Sequence, residues 1–147
     1  MNVIKLQADL LKDALSNKGK EWLIEKTSRE VYIGTKYTIH IIPHDEFLLD
    51  YEVLIKHEVR EVKFLERTIQ GYENAENLIE TGIKMQVDKH LTRELKLEEE
   101  NISIYVNEKL LKYFDKKLEF DGTGDKAPVY IYEGGELAGL VLPMKAV

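Results

Sequence analysis

The sequence contains no cysteine and little proline, and both shortages narrow the classes of protein it can belong to. Without cysteine the chain has no disulfide bond, no thiolate nucleophile and no cysteine-ligated zinc site. Only 3 prolines occur among 147 residues, and no proline-rich or glycine/serine-rich linker divides the chain. The length suits one domain with a sizeable core, so we expect residues 1–147 to form a single domain.

Long apolar runs are also missing. No run approaches the roughly 20 residues of a membrane-spanning helix, and Met1 to Lys5 lack the apolar stretch of a secretory signal. We therefore expect a cytoplasmic protein with no membrane partner. The net charge of −6 disfavours binding of nucleic acid over the whole surface, because affinity for phosphate comes from lysine and arginine. An acidic protein with one basic face is compatible with this charge.

Motifs for catalysis and metal binding are missing as well. There is neither a GxxxxGKS/T phosphate loop nor a GxSxG nucleophile motif. His40 and His44 are four residues apart, but Pro43 between them excludes the helical spacing of a zinc site. The segment 121–125 lacks the glutamate of a calcium loop and is typical of a turn. We therefore expect a protein that is not an enzyme and that binds neither a metal nor a cofactor. The enzymatic alternative is a small hydrolase that uses scattered carboxylates, but no motif in the sequence identifies which carboxylates would be catalytic.

The sequence does contain a similarity between its two ends. Residues 4–12 align with residues 104–112 and share an isoleucine, a Leu-Leu pair and a lysine. Two further pairs of segments match at nearly the same offset: 39–43 with 139–143, and Val-Tyr-Ile at 31–33 with Val-Tyr-Ile at 129–131. Such repetition predicts two copies of one structural unit.

Each copy has the pattern of a strand, a helix and a hairpin. In the first half-unit, about residues 1–55, we predict a strand at 2–7, a helix at 8–17, paired strands at 22–25 and 30–34, and a third strand at 37–42. In the second half-unit, residues 101–147, we predict a strand at 102–106, a helix at 108–117, a strand that begins at 118–120, and a final hairpin of 129–132 and 137–142. We expect the two helices to pack side by side on antiparallel sheets in an α+β fold. The residues expected in the core are Val31, Ile33, Ile39, Ile41, Leu10, Leu11, Leu110, Leu111, Phe114, Ile131 and Leu140.

Residues 56–100 form a variable middle segment that lies between the two repeated half-units. The apolar residues of 47–55 alternate as in a strand but also fit a helical stripe, and we favour the strand. The pattern of residues 58–70 does not distinguish a helix from a strand. Asn74 is predicted to cap a short helix through Ile83, and Met85 to Val87 are predicted to be strand.

The closing segment, residues 102–145, resembles the end of the bacterial DNA polymerase III beta subunit, the sliding clamp. The similar features are the strand Ile-Ser-Ile-Tyr-Val-Asn, the following Lys-Leu-Leu-Lys-Tyr-Phe, and the terminal Leu-Val-Leu-Pro-Met-Lys. The opening residues 3–15 are similar to the start of a clamp domain. The resemblance implies a single DNA-clamp-like domain with two pseudo-twofold-related strand–helix–hairpin units. Clamp subunits carry two or three such domains, whereas this chain has room for one.

In the clamp family, domains close into a ring whose helices face double-stranded DNA, and partners dock a peptide beside the terminal strand. The resemblance therefore implies a homo-oligomer and a peptide groove at Leu142, Pro143 and Met144. Lysines are frequent in both predicted helix regions. Such basic helix faces usually only make a protein soluble, and the alternative is a shared surface toward phosphate, because the two regions are equivalent in the repeat. The residues expected on this DNA-facing surface are Lys12, Lys18, Lys20, Lys109, Lys112, Lys116 and Lys117.

The expected function is non-enzymatic. The resemblance implies a DNA-associated scaffold or processivity-type factor, of a kind found in phages or mobile elements, with a polymerase or other replication protein as its partner. The alternative is a protein–protein interaction module that is derived from the clamp fold and does not contact DNA.

Overall fold

The computed structural model describes residues 1–16, 22–50, 58–60 and 64–145. Its helices are α1 (Val3–Leu15) and α2 (Phe64–Ile69), and 3-10 turns occur at His44–Glu46, Gln70–Asn74 and Glu108–Leu111. The strands of these residues are β1 (Leu23–Lys26), β2 (Glu30–Gly34), β3 (Thr38–Pro43), β4 (Glu58–Arg60), β5 (Glu76–Val87), β6 (His90–Leu97), β7 (Ile102–Asn107), β8 (Glu119–Gly122), β9 (Val129–Glu133) and β10 (Glu136–Val141).

The strands form one sheet in the order β4-β1-β2-β3-β10-β9-β8-β5-β6-β7. Nine of them pair antiparallel, and β4 adds to the edge of β1 in the parallel direction. Two three-stranded meanders, β1-β2-β3 and β8-β9-β10, meet where β3 runs antiparallel to β10, with Gly139 opposite His40. The predicted mixed fold with antiparallel sheet is therefore confirmed in its coarse form.

The far end of the sheet curls back toward the second meander. Beyond β10, the Met144 amide donates a hydrogen bond of 2.8 Å to the Tyr105 carbonyl of β7. This bridge links the two ends of the run β10-β9-β8-β5-β6-β7. The curled run encloses a core that includes Leu95, Ile104 and Phe120, each almost completely buried.

Helix α1 begins earlier than the sequence pattern predicts. The Asn2 side chain accepts a hydrogen bond of 3.0 Å from the Lys5 amide, so the helix starts at Val3. Leu6, Leu10 and Ala14 then form its buried stripe against β1, β2 and β3. The predicted strand at 2–7 is wrong, because this cap and stripe belong to a helix. The predicted helix at 8–17 is confirmed through Leu15, and its last residue lies outside the described residues.

The second predicted helix, 108–117, is also wrong. Only Glu108–Leu111 is helical, as a single 3-10 turn, although the Asn107 side chain does accept from the Lys109 amide as an N-cap would. The Asp115 amide donates instead to the Glu133 carboxylate at 2.6 Å. An α-helix would need that amide for the Leu111 carbonyl, so the helix cannot continue. The predicted side-by-side packing of two helices is therefore wrong, because residues 108–117 lie beside α1 as a 3-10 turn with an irregular continuation and not as a helix.

The predicted core is mostly confirmed. Nine of the eleven residues are buried, while Leu11 and Leu110 are only half-buried. Alternation along β2 separates two faces: Val31 and Ile33 pack under α1, whereas Tyr32 packs with Leu65 and Ile69 of α2.

The middle of the chain differs from its prediction in part. Residues 47–50 are not strand, and the remainder of the predicted strand at 47–55 lies outside the described residues. Asn74 does not cap a helix, because the chain enters β5 at Glu76 and pairs with both β6 and β8. The strand at Met85 to Val87 is confirmed as the end of β5. No helix in the described ranges is long and apolar enough to cross a membrane.

Candidate functional site

The lysine-rich segment after β7, residues 108–117, lies on the same face of the sheet as α1. We call it the lysine segment. The Tyr113 hydroxyl donates to the Asp9 carboxylate of α1 at 2.5 Å, and the Asn2 amide donates to the Tyr113 carbonyl at 2.6 Å. Burial, together with the Asp9 carboxylate, raises the pKa of Tyr113 well above its usual value. These contacts fasten the segment alongside α1.

Four lysines of this segment are exposed to solvent: Lys109, Lys112, Lys116 and Lys117. None of them takes part in an ion pair between residues that the structure describes. The Lys112 ammonium lies over the Tyr113 ring, 4.8 Å from its centre, which is a cation–π contact of an exposed side chain. Lys12, also exposed, is three residues beyond Asp9 on α1. The predicted Lys18 and Lys20 lie outside the described residues.

Several carboxylates on or beside this surface are held by other groups. Asp115 accepts from the Met1 amino group at 2.6 Å. Glu108 accepts from Arg93 at 2.8 Å, and this hydrogen bond is the main cause of its lowered pKa. Asp9 accepts from Tyr113. The Met1 amino group and Arg93 thus offset part of the negative charge beside the lysine segment, whereas the Tyr113 hydroxyl orients Asp9 without neutralising it.

A small cavity adjoins the lysine segment where the β5–β6 hairpin passes Lys116. It has a volume of about 360 Å³, and Lys84 and Arg93 contribute to its lining. Arg93 is paired with two carboxylates, because Glu80 accepts from Nη1 at 2.7 Å and Glu108 accepts from Nε and Nη2. The repeat pattern gave no signal for these two cations, since they lie in the variable middle of the sequence.

His40 lies directly beneath the lysine segment, at the junction of the meanders. Its ring stacks on Phe114 with centroids 4.7 Å apart and meets Tyr113 edge-on at 5.4 Å. Neither ring nitrogen makes a hydrogen bond of good geometry in the described part of the chain. Burial lowers the pKa of His40 to about 4, partly offset by the backbone of Ile33 and reinforced by Lys112. His40 is thus a neutral core residue at pH 7.

The predicted groove residues Leu142, Pro143 and Met144 lie together in an extended segment after β10. The Leu142 amide donates to the Tyr37 carbonyl at 2.9 Å, and Met144 bridges to β7. The Leu142 side chain is exposed, while Pro143 and Met144 are half-buried. The structure therefore brings the three residues into one strip, fixed at both ends.

An exposed apolar surface on α1 was not predicted. Ile4 and Leu15 are 77% and 72% exposed on the helix face that points away from the sheet, and Leu48 is 77% exposed. Gln7 brings Leu48 beside the helix, because its side-chain oxygen accepts from the Leu48 amide at 2.6 Å. The sequence signal was available: Ile4, Ala8, Leu11 and Leu15 follow a 4-3-4 spacing, a second apolar stripe on the same helix.

Among the described residues, the carboxylates close enough to share a cation are Glu76, Glu99 and Glu100, all exposed. Exposed acidic side chains without a buried ligand or a histidine are common on surfaces, and this group carries no assignment.

The chain matches no protein-family model, no curated protein and no solved structure.

Proposed function

We propose that this protein is a non-enzymatic, DNA-associated scaffold of the clamp-like kind, which contacts double-stranded DNA through the lysine segment and the adjoining side of α1. The observation that supports this best is the row of four exposed lysines without ion-pair partners among the described residues. Lysines bind phosphate as point charges without reading bases. Binding would therefore be independent of DNA sequence and weakened by salt.

The sheet topology supports the clamp-like half of the proposal. The meanders β1-β2-β3 and β8-β9-β10 meet antiparallel at β3 and β10, so a twofold axis between these strands would exchange them. The repeated Val-Tyr-Ile segments occupy the middle strand of each meander. Tyr32 and Tyr130 both lie in the core cluster beneath α2. The second half-unit would differ from the first by carrying a 3-10 turn where the first carries α1.

A charge-reversal experiment tests the proposed DNA surface. In the Lys112→Glu/Lys116→Glu variant we expect affinity for a duplex to fall strongly, because two phosphate-binding charges are reversed. The slope of log affinity against log salt should decrease by about 0.9 for each phosphate that the variant no longer neutralises. Fluorescence anisotropy with a labelled duplex at several salt concentrations measures both quantities.

The matched control is Lys89→Glu/Lys126→Glu, which makes the chain more negative by the same amount at exposed lysines in turns outside this surface. An equal drop in affinity in both variants would mean that only net charge matters, and would contradict the proposed surface. Absence of binding by the wild-type protein at low salt would reject DNA binding itself.

The homo-oligomer is a further part of the proposal. The strand order ends at β4 and β7, and Met144 bridges β7 only at Tyr105, so the rest of this edge could pair head to tail with β4 of a neighbouring copy. Size-exclusion chromatography with light scattering would give the mass of a closed ring if this is correct. A monomer at all accessible concentrations would leave the chain unable to encircle DNA. The cytoplasmic location stays a prediction from the sequence.

The second candidate function is a protein–protein interaction module that does not contact DNA, and the exposed apolar surface of α1 favours it. Ile4, Leu15 and Leu48 are the most exposed large apolar side chains in the described residues. In both candidates, Leu142, Pro143 and Met144 remain the proposed groove for a peptide of a polymerase or another replication protein.

A photo-crosslinking side chain placed at Ile4 tests this second candidate in cells that carry the gene. One dominant partner captured from position 4, and not from the exposed control position Ser28, would support the module. Many weak products from both positions would count against it. This outcome is independent of the salt-dependent DNA assay, so the two candidates can be separated.

A further inference from the structure

A cavity of about 520 Å³ lies on the face of the sheet opposite the lysine segment. Helix α2 and the 3-10 turn after it form one wall, and strands β2, β3, β9 and β10 contribute the rest. The cavity therefore spans the junction between the two meanders. Its position on the α2 face makes it independent of the proposed DNA surface.

Aromatic side chains make up much of the lining. Tyr32 is buried in the sheet, Tyr132 is half-buried on the next meander, and Tyr72 is 38% exposed at the mouth. Tyr72 is backed by Tyr130, with ring centroids 6.5 Å apart and an interplanar angle of 67°. Three tyrosines around one cavity provide polarisable ring surfaces that favour a cation.

The charged groups of the lining are all acidic. Glu30, Glu66 and Glu136 contribute to it, and no lysine, arginine or histidine is among the described lining residues. Burial raises the pKa of Glu30, the nearby Arg29 opposes this, and Glu136 adds to the increase. Burial likewise raises the pKa of Tyr32 to about 12, with further contributions from Glu30 and Glu66. A bound cation would relieve this crowding of negative charge.

We propose that this cavity binds an organic cation, an ammonium or guanidinium group, held between the tyrosine rings and the three carboxylates. The group would belong either to a small polyamine or to a lysine or arginine side chain of a partner protein. An inorganic divalent cation fits less well, because it needs six or more oxygen ligands and gains little from aromatic walls. The volume and the apolar floor formed by Ile41, Ile69 and Leu137 suit the alkyl stem of such a ligand.

Isothermal titration with three probes tests the proposal: spermidine, N-acetyl-argininamide and the neutral N-acetyl-norleucinamide. We expect binding of at least one of the two cations and none of the neutral probe. Binding of spermidine alone identifies the free polyamine as the source, and binding of N-acetyl-argininamide identifies a partner side chain. Failure of both cations to bind, or equal binding of the neutral probe, overturns the proposal.

Two pairs of variants locate the binding. Glu66→Gln/Glu136→Gln should weaken the bound cation tenfold or more, whereas Glu99→Gln/Glu119→Gln, at exposed carboxylates elsewhere, should leave it within about twofold. Tyr72→Leu should weaken it roughly threefold to tenfold, with Tyr37→Leu as the exposed control. Equal weakening in each pair would mean non-specific attraction to an acidic protein and would refute the site. Thermal unfolding of each variant confirms that the fold is retained.

Discussion

The two meanders have the same strand order, but the segments that precede them and pack near them differ: helix α1 for the first and the lysine segment for the second. We call these two segments the covers. Their difference shows that the surroundings of a short sequence motif can decide its structure. Both Leu-Leu-Lys motifs precede a meander, and the first lies in the 13-residue helix α1. The second spans the end of a single 3-10 turn and its C-cap Lys112, because Glu133 takes the Asp115 amide that a longer helix would use. The helical cover leaves an apolar outer face, and the turn leaves a row of lysines.

The largest expected difference between the two covers is the loss of stability when a side chain beneath each is shortened, because a cavity would form under α1. Leu10 is completely buried, so Leu10→Ala should lower the free energy of unfolding by about 3–4 kcal/mol. The equivalent Leu110→Ala should cost about 1 kcal/mol, because Leu110 is only half-buried. Urea denaturation of both variants measures the two values. Equal costs would mean that the two covers contribute equally to stability.

The next effect concerns His40 beneath the lysine segment. Its pKa is about 4 in the folded protein and about 6.5 when unfolded. Between these values the unfolded state binds more protons, so stability contributed by neutral His40 is present above pH 6.5 and is lost as the pH falls toward 4. The expected decrease in stability from pH 7 to pH 4 is about 3 kcal/mol.

The variant His40→Phe removes this titration while keeping a ring against Phe114. Its unfolding free energy, measured beside the wild type at pH 7, 5.5 and 4, should show an acid destabilisation that is smaller by that amount. Parallel pH profiles for the two proteins would show that His40 is hydrated or paired, contrary to its place in the structure.

A slightly smaller effect is expected at the junction of the meanders. A side chain at Gly139 would collide with the Ile39 carbonyl and come within 2.8 Å of the Phe114 ring. Gly139→Ala should therefore destabilise the protein by about 2–3 kcal/mol. Gly124→Ala is the control, since a Cβ there meets nothing within 4 Å. A thermal melt that shows equal stability for the two variants would place the junction elsewhere.

The smallest effect tests the link between the two covers. Tyr113→Phe removes the hydrogen bond to Asp9 and should cost about 1.5 kcal/mol, because the acceptor is charged. Tyr105→Phe removes a longer bond of 3.3 Å to Glu94 and should cost less. Chemical denaturation of the two variants side by side gives the comparison. A larger cost at Tyr105 would show that the lysine segment is not fastened to α1 as described.

The sequence alone was sufficient where the pattern is local and periodic. Alternation and turn residues predicted β1, β2, β3 and the final hairpin, and helical spacing predicted the core of α1. It failed at residues 2–7, where Ile4 and Leu6 alternate like a strand although the Asn2 cap commits them to a helix. Ile4 is exposed, so hydrophobicity by itself misled the assignment.

Long-range contacts explain what the sequence could not predict. The bond from the Asp115 amide to Glu133 joins positions 18 residues apart and ends the second helix. The cavity on the α2 face combines residues from four strands and a helix, and its acidic and aromatic members share no spacing in the chain. The cluster of lysines is visible in the sequence, but its placement beside α1 depends on the long-range contacts of Tyr113 with Asp9 and Asn2.

The most direct test of DNA binding by the lysine segment is a titration of the ¹⁵N-labelled protein with a DNA duplex, followed by amide chemical shifts. The proposed surface predicts changes confined to residues 109–117 and the adjoining turns of α1 around Lys12, which shrink as salt is added. Changes centred on the α2 face, or no changes at low salt, would contradict it.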